Sequence, residues 1–156
     1  MGGRAEVVGL WLTGGSRGID VEGWDEHPPL VRGYYDALSR ALTNVVINAI
    51  EAGNDGALIV ITVRRKSIRG REMIEIGVQD SGPGITPERL ATIWEPYVTS
   101  KPGGTGLGLA IVRQTILAHH GLVSASSTAG AGTEVALALP IDGDPAEIVE
   151  PAGEED

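Results

Sequence analysis

Residues 44–52 read NVVINAIEA, within a longer run from Asp36 in which Leu38, Ala41, Leu42, Val45, Val46 and Ala49 recur at helical spacing. Residues three and four apart share one face of an α-helix, so the run predicts a helix of about four turns with a single apolar side. Gly53, Asn54 and Gly56 end it. Asn44 and Asn48 lie four apart and project, with Arg40 and Glu51, from a stripe opposite that side.

Outward from this helix the pattern changes to a period of two. Ala57 to Arg64 places Ile59, Ile61 and Val63 on one side, and Glu72 to Gln79 does the same with Ile74, Ile76 and Val78. The polar residues Lys66 to Arg71 read as a loop joining the two as a hairpin. Thr86 is a candidate N-cap, with Pro87 at the first helical position and Glu88 near the positive helix end, for a short helix reaching about Trp94. Pro96 to Gly104 reads as loop, Leu107 to His120 as a second long helix stopped by Gly121. Two closing strands, Leu122 to Ser127 and Thr133 to Leu139, flank a turn at Gly130 and Gly132, and a further short strand is expected between Gly18 and Trp24. These elements predict an α/β (α+β) fold: a two-layer sandwich with a mixed, mostly antiparallel sheet covered on one face by helices.

The chain has 156 residues, 42% of them hydrophobic, which fits one domain able to bury a core. The expected division is an N-terminal segment at 1–17, a domain at 18–140 and an acidic tail at 141–156. Formal charge is −9, but Asp142, Asp144, Glu147, Glu150, Glu154, Glu155 and Asp156 carry −7 of it, leaving −2 for the rest. The acidity therefore belongs to a solvated tail, expected to be disordered, and nothing suggests nucleic-acid binding. The absence of cysteine excludes disulfides, thiolate metal sites and a cysteine nucleophile. Apolar runs such as Ala57 to Ile61 fall far short of the roughly 20 residues needed to span a membrane, so no membrane contact is expected from this segment.

Four segments carry chemistry. A carboxamide oxygen such as those of Asn44 and Asn48 is a hard, neutral ligand for Mg²⁺, which keeps several waters and binds phosphate oxygens; two solvated asparagines fit the same spacing. DSGPG at 80–84 hangs a carboxylate on a strand end beside two glycines, where it can accept from an amine and repel a carbonyl, or simply form a turn. GGTGLGLA at 103–110 offers bare backbone N–H groups at a helix start, an anion site that needs no basic side chain. It contains no GxxxxGK[ST] string, and Leu109 stands where a dinucleotide fingerprint has its last small residue. GAGT at 130–133 is the fourth.

In order and chemistry these segments resemble the N, G1, G2 and G3 boxes of the GHKL, or Bergerat-fold, ATPase and kinase superfamily, most closely the catalytic and ATP-binding domain of bacterial sensor histidine kinases. The resemblance spans about residues 18 to 140. It implies ATP and Mg²⁺ as cofactors, with Asn48 as metal ligand and Asn44 as a phosphate or water neighbour. It gives Asp80 the adenine amine, with Gly82, Gly84, Ile85 and Thr133 around the base. Gly104, Thr105, Gly106, Leu107, Gly108 and Leu109 would hold phosphates, and Lys101 would reach the terminal ones from a lid. Trp94 and Tyr97 stand where this family's F box has Phe, a residue absent from the chain. Glu51 occupies a place where many kinases of the group carry a cation.

Gyrase-type and MutL-type relatives hydrolyse ATP with a general-base Glu four residues before the metal-binding Asn. Here that place holds Asn44, which cannot take a proton from water, so transfer to an external acceptor is favoured. His27 precedes two prolines and His119 with His120 closes a helix, so all three are expected to be structural and the phosphoacceptor to lie elsewhere. The resemblance thus implies a cytoplasmic kinase domain with two partners, a dimerisation and histidine phosphoacceptor domain and a downstream response regulator. The wording TSKPGGTGLGLA points to the nitrogen-regulation type. An anti-sigma-factor-type serine kinase and a non-catalytic nucleotide-sensing module of the same fold remain as alternatives.

Overall fold

The computed structural model describes residues 19–22, 31–52, 58–97 and 108–141. The run around Asn44 forms helix α1, Tyr35–Ala52, whose 18 residues make about five turns. Its buried side is Ala41, Val45, Val46 and Ala49, as the periodicity predicts. Strand β1, Ile19–Glu22, precedes it; β2, Ile59–Ile68, and β3, Arg71–Gln79, follow. Then come the single turn α2, Pro87–Leu90, helix α3, Gly108–Ala118, and strands β4, Leu122–Thr128, and β5, Gly132–Pro140.

The five strands form one sheet in the order β1-β2-β3-β5-β4. Only the β1–β2 pair is parallel. One face packs Ile59, Ile61, Ile74, Val78, Val135, Leu137 and Leu139 against α1 and against Val112 and Ile116 of α3. This is the two-layer sandwich expected from the sequence.

Three local expectations are corrected. In place of a loop from Lys66 to Arg71, β2 and β3 stay paired to Ile68 and Arg71, and only Arg69 and Gly70 turn. Both have positive φ, 53° and 76°, as a two-residue hairpin with the native strand twist requires. The charges do not break the strand because Glu75, buried on the helix-free face, accepts from Arg64 Nε at 3.0 Å and from Lys66 Nζ at 3.4 Å. Second, α2 stops at Leu90 instead of about Trp94; Thr92 N and Glu95 N donate three residues back, to Arg89 O and Thr92 O, in tighter turns ahead of Pro96. The Thr86 cap is as expected, its side chain accepting from Arg89 N at 3.3 Å. Third, α3 ends at Ala118, short of the expected His120, and the left-handed stop is His120 rather than Gly121: His120 takes φ 62°, His120 N donates to Leu117 O and Gly121 N to Ile116 O. Those paired bonds define a Schellman end with a non-glycine residue in the left-handed position.

Gly18, Trp24, His27, Gly53, Asn54, Gly56, Ala57, Lys101, Gly104, Thr105, Gly106 and Leu107 lie outside the described residues, as do the N-terminal segment at 1–17 and the tail beyond 141.

Candidate functional site

Alternation along β3 carries Ile74, Ile76 and Val78 to the helix-covered face, and the same period brings Asp80 there at the strand's end. The Gln79↔Glu134 register sets Asp80 beside Thr133 of β5, and Thr133 pairs in turn with Ser127 of β4. Asp80, Thr133 and Ser127 therefore form one row across three adjacent strands at the same end of the sheet. Asp80 is only 6% exposed. Its Oδ1 accepts from Gly82 N at 2.9 Å and Thr133 N at 3.2 Å, while Asp80 N donates to Thr133 O at 2.9 Å. Backbone N–H groups thus offset the cost of burying the carboxylate.

Two glycines make this packing sterically allowed. A Cβ on Gly132, where φ is 93°, would lie 2.0 Å from Asp80 O. A Cβ on Gly82 would lie 2.6 Å from Ala52 O, at the C-terminus of α1. The rest of the 80–85 loop is held by side chains that the motif reading did not single out. Ser81 Oγ accepts from Leu58 N at 2.9 Å, Ser127 Oγ accepts from Ile85 N at 2.8 Å, and Gly130 N donates to Pro83 O at 3.0 Å. Gly84 has φ 78° and packs on Thr128 O. No short-range pattern marks Ser127; its value comes from standing one residue before a strand's end, next to the G3-like turn.

Contact between Gly82 and Ala52 settles how the carboxylate and the asparagine stripe sit relative to each other. Asn44, Asn48 and Ala52 are spaced by four and line one side of α1, so the Asp80 loop abuts the end of that stripe. Asn44 and Asn48 are half-buried and Glu51 is exposed. The second helix completes the arrangement. His119, just beyond α3, accepts through Nε2 from Tyr34 N at 3.0 Å, just before α1, and its Nδ1 lies 2.7 Å from Thr115 O. The ring therefore carries its proton on Nδ1 and ties the end of one helix to the start of the other, a structural role. The end of α3 is thus fixed at the start of α1, and the 11 residues of α3 span about 16 Å.

Trp94 packs against the core, as expected of an aromatic anchor. Tyr97 does not: it is 77% exposed with φ 67°, because the left-handed backbone after Pro96 turns the side chain outward. Among the described residues no cluster of three His, Cys, Asp or Glu could hold a metal ion, and no helix is long and apolar enough to cross a membrane.

A carboxylate at a glycine-flanked strand end, abutting a helix with a carboxamide stripe, is the arrangement of the Bergerat fold. The family of histidine kinase-, DNA gyrase B- and HSP90-like ATPases matches residues 33–143, and the chain belongs to it. Its relatives within that family include sensor histidine kinases. It is 37% identical over 108 residues to sensor histidine kinase ZraS of Klebsiella oxytoca, covering 69% of this chain and 23% of that one. It is 36% identical over 134 residues to the sensory histidine kinase/phosphatase NtrB of Rhizobium meliloti, covering 78% and 35%. The structure of the mycobacterial sensor histidine kinase MprB superposes with TM-score 0.74 at 28% identity, over 90% of this chain and 95% of that chain. The chain is thus an ATP-binding catalytic domain of the histidine-kinase type, spanning about a quarter to a third of the curated relatives' length.

Proposed function

We propose that this domain transfers the γ-phosphate of ATP to a histidine on a separate dimerisation and phosphoacceptor domain, from which a response regulator is charged. The observation that carries the proposal is the junction of Gly82 with Ala52, which brings the Asp80 carboxylate to the end of the Asn44–Asn48 stripe. Asp80 accepts from the adenine amine, with Gly82, Gly84, Ile85 and Thr133 walling the base. Gly108 and Leu109 at the start of α3, with Gly104 to Leu107 and Lys101 before it, hold the phosphates.

The half-buried carboxamides suit Mg²⁺: they are hard, neutral oxygen donors, and the ion takes most of its remaining ligands from water and substrate phosphate. Asn48 would be its protein ligand, with Asn44 beside it; when bound, the ion neutralises charge on the phosphates. Phosphoryl transfer needs positioning and charge neutralisation more than covalent chemistry, and these residues supply both. Asn44 withholds the base that hydrolysis requires, so the phosphoryl group is kept for a protein acceptor.

The unit doing this runs from residue 18 to 140, with the acidic tail outside it, and works in the cytoplasm. The similarity to NtrB fits the nitrogen-regulation wording of residues 99–110, although ZraS matches comparably. Incubation with a phosphoacceptor domain and γ-labelled ATP should yield an acid-labile, base-stable phosphoprotein. Binding of nucleotide without transfer would remove the enzyme; acid-stable label would point to a serine acceptor.

A further inference from the structure

Ser127 is the most connected side chain at the base end of the site. Its hydroxyl oxygen lies 2.8 Å from Ile85 N, 3.1 Å from Gly132 O and 3.0 Å from Thr133 Oγ1. A serine hydroxyl has one proton and two lone pairs. Ile85 N can only donate and Gly132 O can only accept. If Ser127 gave its proton to Thr133, its contact with Gly132 O would set lone pair against lone pair. One assignment alone makes all three contacts attractive: Ile85 N–H and Thr133 Oγ1–H both donate to Ser127, which donates to Gly132 O.

That assignment spends the Thr133 proton. Thr133 stands next to Asp80 in the cross-strand row, and its hydroxyl then offers lone pairs only, as the Asp80 carboxylate does. We propose that Ser127, without touching nucleotide, is a specificity-determining positioning residue: it orients the Thr133 hydroxyl as an acceptor, so that this end of the pocket takes a purine bearing an amine and rejects one bearing a carbonyl. The proposal rests on the adenine reading of Asp80 given above. Without Ser127 the Thr133 hydroxyl is free to rotate and donate, and it can then meet a purine carbonyl.

The test is the ratio of ATP to GTP affinity, by calorimetry with Mg²⁺, for the wild-type chain and for Ser127→Ala, Ser127→Thr and Thr133→Val. Ser127→Ala should lower the ratio about tenfold, the scale of one hydrogen bond. Ser127→Thr, which keeps a hydroxyl, should hold it within about twofold. A purely structural Ser127 would weaken both nucleotides by the same factor, and an unchanged ratio in Ser127→Ala overturns the relay. Should Ser127→Ala fail to fold, Thr133→Val decides: the ratio must fall, because the oriented acceptor is gone, and an unchanged ratio overturns the proposal. A wild-type chain that does not prefer ATP overturns the adenine reading and the relay with it, whereas a wild-type preference that survives both variants removes the relay alone.

Discussion

The two ends of the proposed nucleotide site are built differently. At the base end, Asp80 is gripped by backbone N–H groups of Gly82 and Thr133, and the surrounding turns touch so closely that Gly132 and Gly82 leave no room for a methyl group. At the phosphate end, Asn44 and Asn48 are half-buried side chains flanking the side of the helix that Val45, Val46 and Ala49 seal into the core. Backbone positions the first; packing elsewhere positions the second. Binding and folding are therefore coupled at the base end and separable at the phosphate end.

The largest effect should come from Gly132→Ala. A Cβ at 2.0 Å from Asp80 O with φ at 93° has nowhere to go, and a loss of about 3 kcal/mol or more in urea unfolding is expected. A loss under about 1 kcal/mol would show that the base end is not locked. Next, Asn48→Ala should reduce phosphotransfer from γ-labelled ATP by about a hundredfold, the scale for losing a group that positions transferring phosphate. Its unfolding midpoint should move little, by about 0.5 kcal/mol in stability; a comparable loss of stability would erase the contrast between the two ends. Asp80→Asn should cost about tenfold in ATP affinity, because one acceptor oxygen becomes a donor facing the adenine amine. It should also destabilise the fold, since the asparagine oxygen replaces a charged acceptor at two backbone N–H groups; calorimetry and urea unfolding on the same sample check both. Smallest is Thr86→Ala, remote from the site, which removes the N-cap of α2 and should cost about 1 kcal/mol with nucleotide affinity unchanged.

Helix α1 and its asparagine stripe were legible because a period of 3.6 with apolar residues on one side leaves little choice of conformation or facing. Strand β3 was equally clear from Ile74, Ile76 and Val78. The tip of the β2–β3 hairpin is not legible in the sequence because Lys66, Arg69 and Arg71 look like loop until Lys66 is found paired with Glu75 across the strands. The outward turn of Tyr97 and the role of His120 at the end of α3 were hidden for a related reason: both depend on positive φ at residues that rarely adopt it. Ser127 left no signal, because a serine near a strand end becomes a hub only when Ile85, Gly132 and Thr133 are delivered to it by different elements.

Sequence alone decided which chemical groups are present, their order along the chain, the two-layer architecture and the family. Those follow from local periodicity and from residue types that few other folds combine. Only the tertiary structure decided that Asp80, Thr133 and Ser127 share one row, that Gly82 seats this row against the end of the asparagine helix, and which way a hydroxyl proton must point. Strand register and helix docking bring together residues 30 to 53 positions apart, and no short-range pattern encodes those distances.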